Sequence, residues 1–221
     1  MSATLGGVPL RQLPDETVPL RPADIDSAAR VLAAALADDP GFVHLLPVRA
    51  RRKQELRALY RMTLSDALRH GHAFAKRLNG AVTGAIAIYP PGTYPMTPRR
   101  WWSQGLRIAR IAMQTREHSL GLIKFGDVTA SGVQTDCWYV EALGVHPSLQ
   151  RAGRGKRLMA EVFRLVDATT EPSYLETTKP ENVVYYEALG YDSVRAPVAL
   201  GTPETGPWVF PTRRPPVSGT D

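Results

Sequence analysis

Apolar positions recur along this chain with two periods, and each switch between them marks a new element. Residues 16–20, Glu-Thr-Val-Pro-Leu, read as a first strand. Asp24 can then cap a helix with Ile25, Ala28, Leu32, Ala35 and Leu36 on one face, ending before Pro40. From residue 51 to about 69 the helical period returns, with Leu56, Leu59, Tyr60, Leu64 and Leu68 along one side and basic residues along the other. Alternation follows: 72–78 and 81–88 are strand-like runs around Asn79-Gly80, the pair that best accepts the positive φ angles of a type I′ hairpin turn. Residues 90–135 form an insertion predicted to hold a helix from 99 to about 114 and a shorter one near 120–125. Beyond it come a largely apolar strand at 137–145, a helix at 153–167, a strand at 174–177, a helix at 181–189 stopped by Gly190, and two weaker strands.

No internal repeat, heptad run or interdomain linker breaks this order. The expected organisation is a flexible segment over 1–15, a single domain over 16–210 with the insertion at 90–135, and a flexible tail over 211–221 that lacks an apolar pattern. A length of 221 residues favours one enlarged domain, and 43% hydrophobic with 22% charged residues exclude collagen, coiled coil and pure linker. A net charge of +6 and a pI near 9.7 favour an anionic partner such as nucleic acid, phospholipid or a phosphorylated cofactor. The one cysteine, Cys137, cannot form an internal disulfide, and the sequence shows neither a signal-peptide pattern nor an apolar run long enough to span a membrane. A cytoplasmic protein is expected.

The segment from Val145 to Lys156 joins an apolar strand to an amphipathic helix through Gln150-Arg151-Ala152-Gly153-Arg154-Gly155. Gly153 and Gly155 let backbone approach a ligand closely, and the unpaired N–H groups at the helix start point at an anion. Arg151, Arg154 and Lys156 add positive charge at the same place. A glycine pair at a strand-to-helix turn can also be merely conformational. Neither the dinucleotide G-x-G-x-x-G nor the Walker G-x-x-x-x-G-K-[ST] pattern is present.

Q-x-x-G-x-G after a strand ending A-L-G-V, followed by L-E-T-T-K-P-E-N-V-V-Y-Y-E-A-L-G-Y, resembles the GNAT superfamily of acetyl-CoA-dependent N-acyltransferases. Asn182, Tyr186, Gly190 and Tyr191 match the family's N-x-x-x-Y-E-x-x-G-[FY] ending, and the resemblance covers roughly residues 18–210. Within the superfamily, the A-A-A-L-A-D-D-P helix, the long insertion and W-Y-V-E-A-L-G-V look most like puromycin N-acetyltransferase-like members. The resemblance implies an α/β (α+β) fold with a mixed, mostly antiparallel central sheet flanked by helices. Such a sheet is splayed between its fourth and fifth strands, here 137–145 and 174–177. It also implies acetyl-CoA as co-substrate, with the backbone of Leu143, Gly144 and Val145 along the pantetheine arm. The turn Gln150, Arg151, Ala152, Gly153, Arg154, Gly155 and Lys156 would hold the pyrophosphate, with Asn182 near the pantetheine.

Acetyl transfer to an amine needs a deprotonated nucleophile, a polarised thioester carbonyl and a proton for the departing thiolate. An ammonium of pKa about 10.4 needs help in losing its proton near neutrality. Glu141 is the one carboxylate in its strand and falls where several GNAT members carry a base; a surface salt bridge or a clamp for the substrate ammonium is the other use of such a residue. Glu176, on the next strand, competes for the role. By resemblance Tyr186 faces the CoA sulfur as acid, Tyr185 takes an apolar packing position, and a backbone N–H, that of Val145, polarises the carbonyl.

The five histidines, His44, His70, His72, His118 and His146, have no ligand spacing, so no metal is expected. The inserted helix has Trp102, Leu106, Ala109 and Met113 on one face and Arg100, Arg107 and Arg110 on another. It can act as a lid, lie on an anionic membrane or touch nucleic acid, and its place before the catalytic strand favours the lid. The expected function is acetylation of a small-molecule primary amine through a ternary complex, without a nucleic-acid partner or membrane span. The alternatives are a non-catalytic acyl-CoA-binding or regulatory module and acetylation of a protein amine. A two-fold homodimer is the prior for assembly.

Overall fold

The structure, a computed structural model, describes residues 4–5, 8–9, 14–105, 108–109, 113, 135–202, 204 and 206–216. The predicted helix near 120–125 and most of the inserted helix beyond residue 105 lie outside them. In chain order the elements are β1 (Asp15–Pro19), α1 (Ile25–Leu36), α2 (Pro40–Leu45), α3 (Arg49–His70), β2 (His72–Leu78), β3 (Ala81–Tyr89) and α4 (Pro98–Ser103). They continue with β4 (Trp138–Val145), α5 (Arg154–Val166), β5 (Ser173–Thr177), α6 (Pro180–Glu187), β6 (Asp192–Ser193), β7 (Val198–Ala199) and β8 (Trp208–Arg214). Thr4–Leu5 and Val8–Pro9 pair with each other as a separate two-residue ribbon.

One mixed sheet runs β1-β2-β3-β4-β5-β8-β6, with β7 paired to β8. Every pairing is antiparallel except β4 with β5. The β2–β3 turn is the predicted hairpin: Asn79 has φ 48°, Gly80 has φ 79°, and Leu78 pairs with Ala81. Alternation along the strands sorts side chains to two cores. Ala73, Ala75, Ala85, Ala87, Tyr139 and Ala142 pack under α1 and α3, while Phe74, Ile86, Ile88, Trp138, Val140 and Leu175 pack against Leu158, Met159, Val162 and Val166 of α5. The small residues on the first face let the helices approach closely. A Cβ on Gly144 would lie 2.9 Å from Leu32 Cδ2 and 3.0 Å from Ala35 Cβ.

Three expectations need correction. Pro40, read as the stop of α1, also starts α2: Asp39 accepts the Gly41 N–H at 3.0 Å, and proline at the first helical position loses no hydrogen bond. The tail expected from residue 211 is strand up to Arg214, paired with β5 from Phe210↔Thr177 to Arg214↔Ser173. Backbone pairing and the ion pairs Arg213–Asp136 and Arg214–Asp167 hold it where an apolar pattern is missing. At the other end, Asp15 belongs to β1, where its carboxylate forms an ion pair with the buried Lys76 ammonium at 2.9 Å and its backbone carbonyl accepts from that ammonium at 3.1 Å.

Candidate active site

Strands β4 and β5 pair at only two positions, Trp138↔Ser173 and Tyr139↔Tyr174, and then diverge. The far half of β4 therefore has a partner, β3, on one side only. Its backbone orientation follows from the alternation of antiparallel pairs. His146 N–H donates to Thr83 O at 2.8 Å, so the next bonded pair is Gly144 with Ala85, and Leu143 and Val145 turn their N–H and C=O groups away from β3 into the opening. The Val145 carbonyl accepts from the Gln150 side-chain amide at 2.9 Å, leaving the Val145 N–H and both Leu143 groups along the opening. Gly144 faces β3 with its backbone and α1 with its Cα, so its predicted place beside the cofactor is that of a packing residue.

Register also decides where Glu141 points. Val140 pairs with Ile88 and Ala142 with Ala87, which makes Glu141 an extra, bulged residue. Alternation from Tyr139 and Val140 sends Glu141 to the α3 side, and the bulge keeps Ala142 on that side with it. There the Thr63 hydroxyl donates to Glu141 Oε1 at 3.2 Å, while Oε2 is buried without a hydrogen bond to a described residue. Burial, reinforced by the Asp66 carboxylate, raises the Glu141 carboxyl to about 7 against the pull of the Thr63 hydrogen bond and Arg100.

Asp66, one turn of α3 beyond Thr63, was not singled out by sequence reasoning, nor was its partnership with the insertion. It is 2% exposed and accepts from Tyr89 Oη at 2.9 Å, from Gln104 Nε2 at 3.0 Å and from the Arg100 guanidinium. Arg100 also donates to the Thr93 carbonyl and stands over the Tyr89 ring at 5.6 Å. Of the two faces of the inserted helix, the described residues bury the basic one at Arg100, which is 9% exposed, whereas Trp102 is 85% and Met113 70% exposed. The competing carboxylate Glu176 lies on the same face as Glu141. Tyr139 Oη donates to its Oε2 at 3.1 Å, Oε1 has no described hydrogen bond, and burial raises its carboxyl to about 8.

The turn into α5 is built for exposed amides. Arg151 (φ 60°) and Gly153 (φ 73°) are both left-handed, and Gly153 caps α5 without a side-chain hydrogen bond. The first-turn N–H groups of Arg154, Gly155 and Lys156 thus open outward. Arg151, Ala152 and Lys156 are exposed. The Arg154 side chain departs from expectation: it is buried beneath the turn, with Nη2 3.8 Å from Asp15 Oδ2, so only its backbone faces an anion.

On α6, Asn182 donates to Thr177 Oγ1 at 3.1 Å, and the same oxygen accepts from Lys179 N–H at 3.2 Å, tying the helix start to the end of β5. Tyr186 is buried in the α5-side core against Tyr191, and its hydroxyl makes no hydrogen bond to a described residue. Burial pushes that phenol well up, so it stays protonated throughout the neutral range. Tyr185 is not simply apolar packing: its buried, unpartnered hydroxyl lies 3.5 Å from where a Cβ on Gly155 would sit. Among the described residues no group of His, Cys, Asp and Glu could hold a metal, and no helix is long and apolar enough to cross a membrane.

Residues 43–191 match the model of the Acetyltransferase (GNAT) family. A solved structure described as histone acetyltransferase and related acetyltransferase, from Corynebacterium glutamicum, is similar at 19% identity over 94% of this chain and 99% of its own, with a TM-score of 0.62. Polyamine N-acetyltransferase of Drosophila melanogaster is 14% identical over 91% and 100%, with a TM-score of 0.57. A ribosomal-protein alanine N-acetyltransferase from Escherichia coli is 13% identical over 94% and 98%, with a TM-score of 0.55. At these identities the likeness is one of fold.

Proposed function

Because the chain belongs to the acetyltransferase (GNAT) family, we propose that it moves the acetyl group of acetyl-CoA directly to a primary amine of a small molecule, within a ternary complex. The residues present fit the donor. The unpaired N–H and C=O groups of Leu143 and the Val145 N–H line an opening as wide as a missing strand, suited to the amides of the pantetheine arm. The amides from Arg151 to Lys156, in left-handed and helix-start conformations, suit its pyrophosphate, and Arg151 and Lys156 add exposed charge. Asn182 and the Tyr185 hydroxyl border the same path. Acetyl-CoA, when bound, supplies the activated acyl group.

The remaining steps fall to side chains of this protein. Glu141 takes the proton that the amine must shed, and its raised proton affinity lets it exchange that proton near neutrality. The Val145 N–H polarises the reacting carbonyl. Tyr186, held protonated, donates to the departing sulfur.

The observation that carries this reading is the Glu141 carboxylate, which faces α3 beside a bulge at the point where β5 leaves β4, with one buried oxygen that has no partner among the described residues. Its enclosure between α3 and α4 favours a slender amine over the surface of a folded protein. Release of free CoA from acetyl-CoA is measured against aliphatic, aminonucleoside-like and peptide amines, with mass detection of the product. Turnover of small amines is expected. Preference for peptide N-termini supports a protein acceptor, and acetyl-CoA binding without any turnover supports the binding-module alternative.

A further inference from the structure

The inserted segment reaches the base through one buried ion pair. Arg100 and Gln104 both extend from it to Asp66, and Asp66 lies one helical turn from Thr63, whose hydroxyl holds Glu141. Tyr89 closes the arrangement, since its hydroxyl bonds Asp66 and stands 3.4 Å from the Thr63 carbonyl. We propose that Arg100 is a positioning residue for Glu141, acting through Asp66, so that the insertion sets the charge environment of the base. The proposal rests on the reading of Glu141 as the base.

Among the described residues, charged and titratable groups face Glu141 from four elements. From α3 come Asp66 and Tyr60; from β3, Tyr89; from α4, Arg100; and from β4, Tyr139, whose hydroxyl is bound to Glu176. His70 stands 4.0 Å from Asp66 on its exposed side. Only Asp66 and Arg100 in this set form a buried ion pair. With both present, the pair is close to neutral, and Glu141 feels mainly its own burial. Without Arg100, an uncompensated carboxylate faces Glu141 and strengthens its hold on a proton. Without the Asp66 charge, Glu141 loses the carboxylate that faces it while the Arg100 guanidinium stays, which weakens that hold. Opposite signs follow from Coulomb's law alone.

The test uses the ligand-free protein, with ¹³C-labelled Glu carboxyl groups followed by NMR as pH is varied; the Glu141 signal is the one missing in Glu141→Gln. A midpoint near 7 is expected in the parent. Asp66→Asn, which keeps an acceptor for Tyr89, lowers it by about one unit, and Arg100→Met raises it by about one unit. Arg100→Lys keeps the charge and loses the fork, so its upward shift is smaller; it also serves if Arg100→Met does not fold. The acid limb of the kcat/KM profile moves with each midpoint. Shifts of Asp66→Asn and Arg100→Met in the same direction, or an unmoved midpoint, overturn the proposal. Retention of full activity and of the acid limb in Glu141→Gln overturns the base assignment instead, and the ligand-free midpoints still decide whether Arg100 and Asp66 act on Glu141.

Discussion

The two faces of the central sheet use the same strands for opposite purposes. Toward α5, β2 to β5 present Phe74, Ile86, Ile88, Val140 and Leu175 to Leu158 and Met159, and the buried cations on that side, Lys76 and Arg154, both stand against the Asp15 carboxylate. Toward α3 the same strands present alanines and tyrosines, which leave room for Asp66, Arg100, Glu141 and Glu176. One face gains stability by filling volume. The other trades volume for buried charge, and a carboxylate taken out of water without full pairing raises its proton affinity. The two uses are thus separated by the thickness of one strand, and the bulge puts Glu141 and Ala142 together on the α3 side.

The sharpest way to break this division is Glu141→Gln, which keeps the shape and removes the base; kcat/KM should fall by about 10²–10⁴ with little change in melting temperature. Next comes Tyr186→Phe, the one proposed chemical group contributed from the α5 side. Its ring packing persists, so kcat should fall by about 10², the lower end of that range, while affinity for acetyl-CoA is retained. Tyr185→Phe should leave kcat nearly unchanged, and the reverse result would exchange the two tyrosines' roles. Gly155→Val tests the phosphate turn away from both faces. Its Cβ meets only the Tyr185 hydroxyl at 3.5 Å, so the fold should survive while acetyl-CoA binding, measured by calorimetry, weakens about tenfold or more.

The smallest effect concerns Glu176. Its carboxyl is raised, so its contribution to stability is complete below the unfolded value of about 4.5 and is lost as pH rises through about 8. Glu176→Gln should therefore raise the melting temperature at pH 9 relative to the parent and change it little at pH 5. An equal effect at both pH values would mean that the Tyr139 hydrogen bond, not the buried charge, governs the site.

Much of the fold was legible because its signals are local. Asn79-Gly80 carries its turn in two residues, and the periods of α1, α3 and α5 needed no partner to be read. Pro211 to Arg214 carried no such signal, since that strand is held by β5 and by two aspartates far away in sequence. The candidate site divides the same way. Glu141 stood out as a lone carboxylate in an apolar strand, but the extra residue that sets it beside Ala142 on the α3 side is a matter of register with β3. Asp66 looked like one more polar position on a helix; its meaning comes from Arg100, 34 residues away. Helical spacing likewise put Arg100 and Trp102 on different faces without saying which is buried, and the tertiary ion pair decides it.

The two-position contact between β4 and β5 also has a mechanical side. It divides the sheet into a leaf of β1 to β4 and a leaf of β5, β8, β6 and β7, joined along a short spine at Trp138–Ser173 and Tyr139–Tyr174. The Tyr139–Glu176 bond acts as a stay just beyond that spine, and Thr178, bonded to Asp39 and to the Gly41 amide, is a second stay between the far leaf and the helices on the near one. Among the described residues few hydrogen bonds cross the sheet beyond that spine, so a molecule seated between the leaves would serve as a missing rung.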